Sequence, residues 1–218
     1  LKRFFLHRIA KVYASGENQI KLLKKLKYKG IIVKTRGVGI INFNKQKNRI
    51  NKDCISKFLY VGRFSEEKNI EFLIHFFKNK KSLSLSIVGY GHLEKSLKQM
   101  AKGYENIDFL GAIDNEKLYK CYQAHDVFLI PSRREPWGLV VEEALYNGLP
   151  VIASDRVGCV NEIIKDGVNG YVFKLDDYQD FERIIDLIID KENYQKLAKY
   201  IEKIDFNQEV NYQVNAYL

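Results

Sequence analysis

Residues that cross-link, kink or anchor a chain are scarce in these 218 residues. There are three prolines and no low-complexity tract. The three cysteines, Cys54, Cys121 and Cys159, are far apart, odd in number and outside any CxxC pattern. That argues against a disulfide framework and against structural zinc, and for a reducing, cytoplasmic compartment. The four histidines, His7, His75, His92 and His125, are equally scattered, and no metal site is expected. No uninterrupted apolar run approaches the roughly 18–20 residues that span a bilayer. The chain starts at Leu1 rather than methionine and lacks the charged-then-apolar plan of a signal peptide, so a piece of a longer protein is expected.

Acid is the most unevenly missing component. Residues 1–52 hold fifteen Lys and Arg and a single acid, Glu17, a formal +14. The remaining 166 residues hold 21 basic and 26 acidic residues, a formal −5. The first segment is therefore expected to face something anionic: a membrane surface, a phosphorylated substrate or nucleic acid. A merely solvated face of lysines is the alternative. The segment has few interleaved aromatics and no recognisable binding motif, which counts against nucleic acid.

With 46% hydrophobic residues there is enough for one large core, and one domain plus a partial second is expected. Lys2 to Ile9 suits a helix and Lys11 to Ala14 a strand. Ser15 has the chemistry of an N-cap for a helix from Gly16 to about Lys27. Ile20, Leu22, Leu23 and Leu26 supply its buried stripe, and Gly30 ends it. Ile31 to Lys34 reads as a strand, and 37–52 as a connector. The domain boundary falls between about 36 and 55, dividing residues 1–50 from 51–218.

After it the rhythm is regular. Strands are expected at Lys57–Val61, Leu83–Val88, Ile107–Leu110, Val127–Ile130, Val151–Ala153 and Tyr171–Phe173. Helices are expected at Glu66–Lys78, His92–Ala101, Asn115–Gln123, Trp137–Tyr146, Val160–Lys165 and Tyr178–Ile189, with two more from Glu192 onward, broken near Asp205. Strands alternating with helices mean βαβ units and an α/β fold: a Rossmann-like parallel sheet with helices on both faces. In such sheets ligands bind outside the carboxyl ends of the strands.

The stretch Pro131 to Ser154, PSRREPWGLVVEEALYNGLPVIAS, reads strand end, loop, helix, strand, with carboxylates where loop meets helix. Glu135 precedes the helix and Glu143 lies about two turns inside it. Gly138 cannot shield its neighbours' amides, so a diphosphate could rest on them. Glu143 could accept two ribose hydroxyls, as acids do in other nucleotide folds; the alternative is a solvated helix acid, as Glu142 beside it is read. GRFSEEKN at 62–69 places two cations near a helix start, where dipole and free amides already favour an anion. The same residues also suit a capped helix with surface charges. Val88-Gly89-Tyr90-Gly91 lacks the third glycine of a dinucleotide fingerprint, so a tight βα turn is the simpler reading.

Taken together, GRFSEEKN (62–69), SIVGYG (86–91), FLGAI (109–113), AHDVFLIPSRREPWGLVVEEALYNGLPVIAS (124–154) and NEIIKDGVNGYVF (161–173) carry a resemblance. From about 55 to 190 the chain resembles the C-terminal, donor-binding domain of a retaining glycosyltransferase of family four, among the glycosyl transferases group 1, with the GT-B fold. Glu135 and Glu143 match its E-x7-E. The first fifty residues resemble the tail of the N-terminal acceptor domain. The resemblance implies that the domain binds a nucleoside-diphosphate sugar, a UDP-sugar or GDP-sugar, with no cofactor or metal required. Arg63 and Lys68 would hold the diphosphate with the amides of Gly138, Leu139 and Val140; Gly62 and Gly89 would lie in the same site. Glu143 would hold the ribose, Glu135 the transferred sugar, and the backbone near Ile113 would face the base. Glu135, Arg63 and Lys68 are the expected catalytic residues.

Transfer with retention is implied, to a glycan, phosphorylated or lipid-linked acceptor in cell-envelope synthesis, at the inner face of the membrane. With the acceptor half absent, this chain alone is expected to be inactive. One departure stands out. The family often has two glycines before its NEII-like segment, where this chain has Val157-Gly158-Cys159-Val160. The alternatives are a sugar-nucleotide epimerase on the same architecture and a non-catalytic binding module.

Overall fold

A computed structural model describes residues 5–6, 8–35 and 52–217. The connector read at 37–52 lies almost entirely outside these residues, as does most of the helix read at Lys2 to Ile9, of which Phe5 and Leu6 are helical.

The amino-terminal part is a small parallel unit. Strand β1 (Lys11–Ala14) and strand β2 (Ile31–Lys34) pair in register from Lys11↔Ile31 to Ala14↔Lys34. Helix α1 (Glu17–Lys25) joins them and packs Leu23 with Ala14 and Tyr28. Three local readings change here. Gly16, not Ser15, occupies the N-cap, and the Ser15 amide donates instead to Gln19 Oε1 at 2.8 Å. The helix ends at Lys25, and Lys27 takes the left-handed conformation at φ 56°, earlier than Gly30. Leu22 is 54% exposed rather than part of the buried stripe.

The larger part alternates strictly. Its strands are β3 (Lys57–Val61), β4 (Ser84–Val88), β5 (Ile107–Gly111), β6 (Val127–Ile130), β7 (Val151–Ser154) and β8 (Gly170–Phe173). Its helices are α2 (Ile70–Phe77), α3 (Glu94–Ala101), α4 (Asn115–Ala124), α5 (Leu139–Tyr146), α6 (Val160–Ile163), α7 (Tyr178–Ile189), α8 (Lys191–Ile201) and α9 (Phe206–Tyr217). All neighbouring strands are parallel, in the order β5-β4-β3-β6-β7-β8.

Successive side chains of a strand point to opposite faces, and the core divides accordingly. Phe58, Tyr60, Val127, Leu129 and Ile152 pack with α2, α3, α7 and α8. Leu59, Phe128, Ile130, Val151 and Ala153 pack with α4, α5 and α6. Strands covered on both faces read as near-continuous apolar runs; VFLI and VIAS are wholly buried, the Ser154 hydroxyl donating to Ser132 O at 2.6 Å. Helix α2 buries Ile70, Leu73, Ile74, Phe76 and Phe77, each contributing about 1.5–3 kcal/mol of transfer free energy.

The helix expected at Glu66–Lys78 is interrupted. A 3₁₀ turn covers Glu66–Lys68, Asn69 adopts φ 56°, and only then does α2 begin. Buried Asn69 holds the break: its Nδ2 donates to Pro131 O at 3.2 Å, and its Oδ1 accepts from Arg133 Nη2 at 2.8 Å.

The strand order reverses between β3 and β6, where ligand crevices form in doubly wound sheets. The two strands pair at Phe58↔Val127 and Leu59↔Phe128, near their amino ends. Asp126 anchors that end. It is 1% exposed, accepts from the amides of Ser56 and Lys57 at 2.9 Å each, and pairs with Lys52. Asp126→Ala leaves two amides and a cation without their carboxylate. Breaking a buried charged network of this kind costs about 3–5 kcal/mol. Urea unfolding should therefore show a midpoint well below wild type; an unchanged midpoint would remove the anchor from this account.

Candidate functional site

Past Leu59 and Phe128 the ladder between β3 and β6 stops. A cleft of about 350 Å³ opens there, lined by Tyr60, Val61, Ile130 and the loops that follow both strands. Gly62, Arg63, Lys68, Glu135, Gly138, Leu139 and Val140, all singled out in the sequence, form much of its wall. Gly89, Ile113 and Glu143 are not among its lining residues. Tyr60, Ser132, Pro136 and Trp137 are lining residues that the sequence reading did not assign to the site.

Backbone packing explains the glycines. A Cβ on Gly89, which has φ 139°, would stand 1.9 Å from Gly62 O, and one on Gly91 would stand 2.3 Å from Phe64 O. The close approach suggested by Gly89 and Gly91 is thus to the chain's own 62–64 loop, as the tight-turn reading has it. Hydrogen bonds continue this edge: Gly62 N donates to Val88 O at 3.0 Å, and Gly89 N to Gly111 O at 2.9 Å. Gly138 has φ 100° and is the N-cap of α5, so Leu139 and Val140 enter the helix at the cleft. The glycine kept in the Val157-Gly158-Cys159-Val160 departure is required as well. A Cβ at Gly158 would strike Pro136 O at 2.0 Å, and Gly158 N donates to Glu135 O at 2.8 Å.

Charge is arranged in pairs. Lys68 Nζ and Glu135 Oε2 form a direct ion pair across the cleft, each side chain 14% exposed. Arg63 is far more open, with Glu67 at 4.0 Å. Its carbonyl accepts from Tyr60 OH at 3.2 Å, and burial pushes that phenol far up from its ordinary value. Arg133 points away, to Asp176 at 2.6 Å and Asn69 at 2.8 Å. Two polar groups of the lining are buried without a hydrogen-bond partner among the described residues: Ser132 Oγ and Trp137 Nε1. Unmet buried donors cost about 1–3 kcal/mol each, so an oxygen-rich occupant within reach would relieve them.

The two helix acids are not solvated as Glu142 was read to be. Glu142 is buried. Glu143 is half-buried and accepts from Tyr122 OH at 2.9 Å. Burial raises its pKa, and the Tyr122 bond opposes that rise. Cys159 is buried, and desolvation pushes its thiol far up, so it is inert. Among the described residues no three His, Cys, Asp or Glu side chains gather to hold a metal ion.

A doubly wound sheet whose crevice presents cations and a helix N-terminus has the form in which anions and nucleotides are bound in open α/β sheets. The family model of the glycosyl transferases group 1 matches residues 41–204, and the chain belongs to that family. It is 31% identical over 145 residues to sulfoquinovosyl transferase SQD2 of Arabidopsis thaliana, covering 65% of this chain and 28% of that protein. It is 33% identical over 148 residues to the O-antigen biosynthesis glycosyltransferase WbnH of Escherichia coli, covering 68% and 42%. Among solved structures, sucrose-phosphate synthase from Thermosynechococcus elongatus superposes with TM-score 0.83 at 22% identity, over 99% of this chain and 59% of that one. Anabaena HepE, solved with UDP and glucose, superposes at 0.78 and 19%, over 99% and 65%. The fold is that of one half of the GT-B glycosyltransferases. The chain spans less than half the length of the curated relatives it matches, from 28% to 48%.

The raised pKa of Glu143 has a defined sign in stability. Above its ordinary value of 4.5 the folded protein binds more proton at this site than the unfolded chain does. Its contribution therefore falls as pH rises from 4.5 through the raised value. Glu143→Gln should flatten that fall. Chemical denaturation of both proteins across this window checks it, the difference curve isolating Glu143 from other carboxylates.

Proposed function

We propose that the protein is the donor-binding part of a retaining glycosyltransferase of family four. It would take a UDP-sugar or GDP-sugar and pass the sugar to a glycan or lipid-linked acceptor in cell-envelope synthesis. The observation that carries this is the convergence of Arg63, Lys68, Glu135 and the Gly138-capped start of α5 on one crevice. The UDP bound to HepE, at 19% identity, supports a uracil nucleotide as first probe. The O-antigen role named for WbnH supports an envelope acceptor.

In this reading the diphosphate lies over the amides of Leu139 and Val140, between Arg63 and Lys68. Leaving-group charge grows on the diphosphate as the glycosidic bond breaks. Fixed cations and amides stabilise that charge most in the transition state, without needing a metal to supply it. Glu143 takes the ribose hydroxyls, and the base extends past Gly89 towards Ile113 along the carboxyl edge of β4 and β5. Glu135 faces the transferred sugar. Its pairing with Lys68 adds a step: the diphosphate must take Lys68 over before Glu135 is released to the sugar. Residues 1–50 belong to the acceptor domain, so this chain alone binds donor but turns over little.

Titration with UDP tests the site. Arg63→Ala and Lys68→Ala should each weaken it roughly ten- to hundredfold, since hydrogen bonds to charged groups contribute about 1.5–3 kcal/mol. Glu135→Gln should act in the opposite direction, tightening UDP severalfold by removing the anion that competes for Lys68, while erasing any preference for UDP-glucose over UDP. Unchanged affinity in all three variants would move the phosphate site elsewhere.

We also propose that the whole enzyme works at an anionic membrane through its amino-terminal unit. Lys21, Lys24 and Lys25 are exposed on α1 beside exposed Leu22. Lys34 is not counted among these contacts, because Glu17 and Glu162 hold it. Each cation near such a surface adds about 1 kcal/mol. Cosedimentation should favour anionic over neutral vesicles at low salt and fade at high salt; equal partition would leave a solvated face.

A further inference from the structure

We propose that Glu162 is a positioning residue that seats the β1-α1-β2 unit on the wall of the cleft and thereby couples nucleotide occupancy to docking of that unit. The coupling rests on the donor reading above; the seating does not.

Glu162 stands on α6, and its side chain is 8% exposed. Its Oε1 accepts from the Glu17 amide at 2.9 Å, a bond that spans 145 residues of sequence. Its Oε2 meets Lys34 Nζ at 3.0 Å, and Lys34 also reaches Glu17 Oε1 at 2.9 Å. Helix α1 has no side-chain cap of its own. The larger part of the chain supplies a carboxylate to one orphan amide and to the positive end of the helix dipole. A solvent-exposed ion pair would mean little, but this carboxylate is shielded and bonds backbone as well as Lys34.

The contact point is the cleft wall itself. A Cβ on Gly16 would come within 3.0 Å of Trp137 Cζ3 and 3.2 Å of Glu162 Cγ, so bare glycine lets the two parts touch. Trp137 lines the cleft. Loop 157–159, which leads into α6, is bonded to the cleft loop, Gly158 N to Glu135 O at 2.8 Å and Cys159 N to Trp137 O at 2.9 Å. Glu162, Glu135 and Trp137 therefore belong to one braced segment. A ligand that orders this wall also orders the surface on which α1 rests, and differential contact of this kind is what a shift in docking requires.

The test compares amide exchange and UDP titration in the wild-type chain, Glu162→Gln, Glu162→Ala and Gly16→Val. Loss of an N-cap raises local opening about fivefold. In Glu162→Ala, exchange in the first turn of α1 should rise by that factor and UDP should bind severalfold more weakly. UDP should slow α1 exchange in the wild type and not in this variant. Glu162→Gln, which keeps an acceptor for the Glu17 amide, should be intermediate. Gly16→Val should mimic Glu162→Ala with the carboxylate intact, so the proposal stands or falls on this variant if Glu162→Ala does not fold. Unaltered α1 exchange in Glu162→Ala and Gly16→Val overturns the seating, and a UDP effect without an exchange effect assigns Glu162 to the ligand instead. If the wild-type chain binds no UDP, the donor reading and the coupling fail, while exchange without nucleotide still decides the seating.

Discussion

The buried Asp126 carboxylate ties the entry of β3 to the entry of β6, and the ladder between these strands ends two residues later. The sheet is therefore closed at one end of its central pair and parted at the other. Its outer strands cannot close the gap, because chain order runs outward from β3 through β4 and β5 on one side and from β6 through β7 and β8 on the other. Loops leaving β3 and β6 must turn in opposite directions, and the space between them becomes the cleft. A charged group is costly to bury, yet here one carboxylate oxygen takes both amides and the other faces the Lys52 ammonium, so the group specifies the strand junction.

The cleft is not empty of charge compensation. Lys68 and Glu135 neutralise one another across it, and Arg133 is drawn aside to Asp176 and Asn69. Such pairing keeps a concentrated set of charges compatible with folding, because each ion is partnered before any ligand arrives. Ser132 Oγ and Trp137 Nε1 are the reverse case, buried in the wall without a hydrogen-bond partner among the described residues.

The alternation of the sheet was legible because buried strands are uniformly apolar. Val127–Ile130 and Lys57–Val61 were read to the residue, and the other strands of the larger sheet to within a residue at either end. What escaped is what depends on distant partners. The break at Asn69 is held by Arg133 and Pro131, some sixty residues on, so the Glu66–Lys78 stretch read as one helix. Ser15 matched the local rule for a cap, while the acceptor that does cap α1 comes from Glu162. Seven of the ten site residues were brought to one cleft because they lie on loops leaving adjacent strands. Glu143 is not among the lining residues, and its carboxylate accepts from Tyr122 OH on the neighbouring helix, a partner the local sequence did not show. Trp137 and Tyr60 went unassigned because each was read as part of an element, Trp137 opening a helix and Tyr60 inside a strand; the proximity of Trp137 to Gly138 was the available signal.

The contact between Gly16 and Trp137 has one more consequence. The chain contains a single tryptophan, and it lies where the cleft wall meets the amino-terminal unit. Its indole emission therefore comes from one known place. A shift in colour would report wetting or drying of the wall, and a change in quenching would report the approach of Glu162 or of an occupant. The protein carries an unlabelled optical gauge of its own junction, so opening and closing there can be followed in real time without adding a probe.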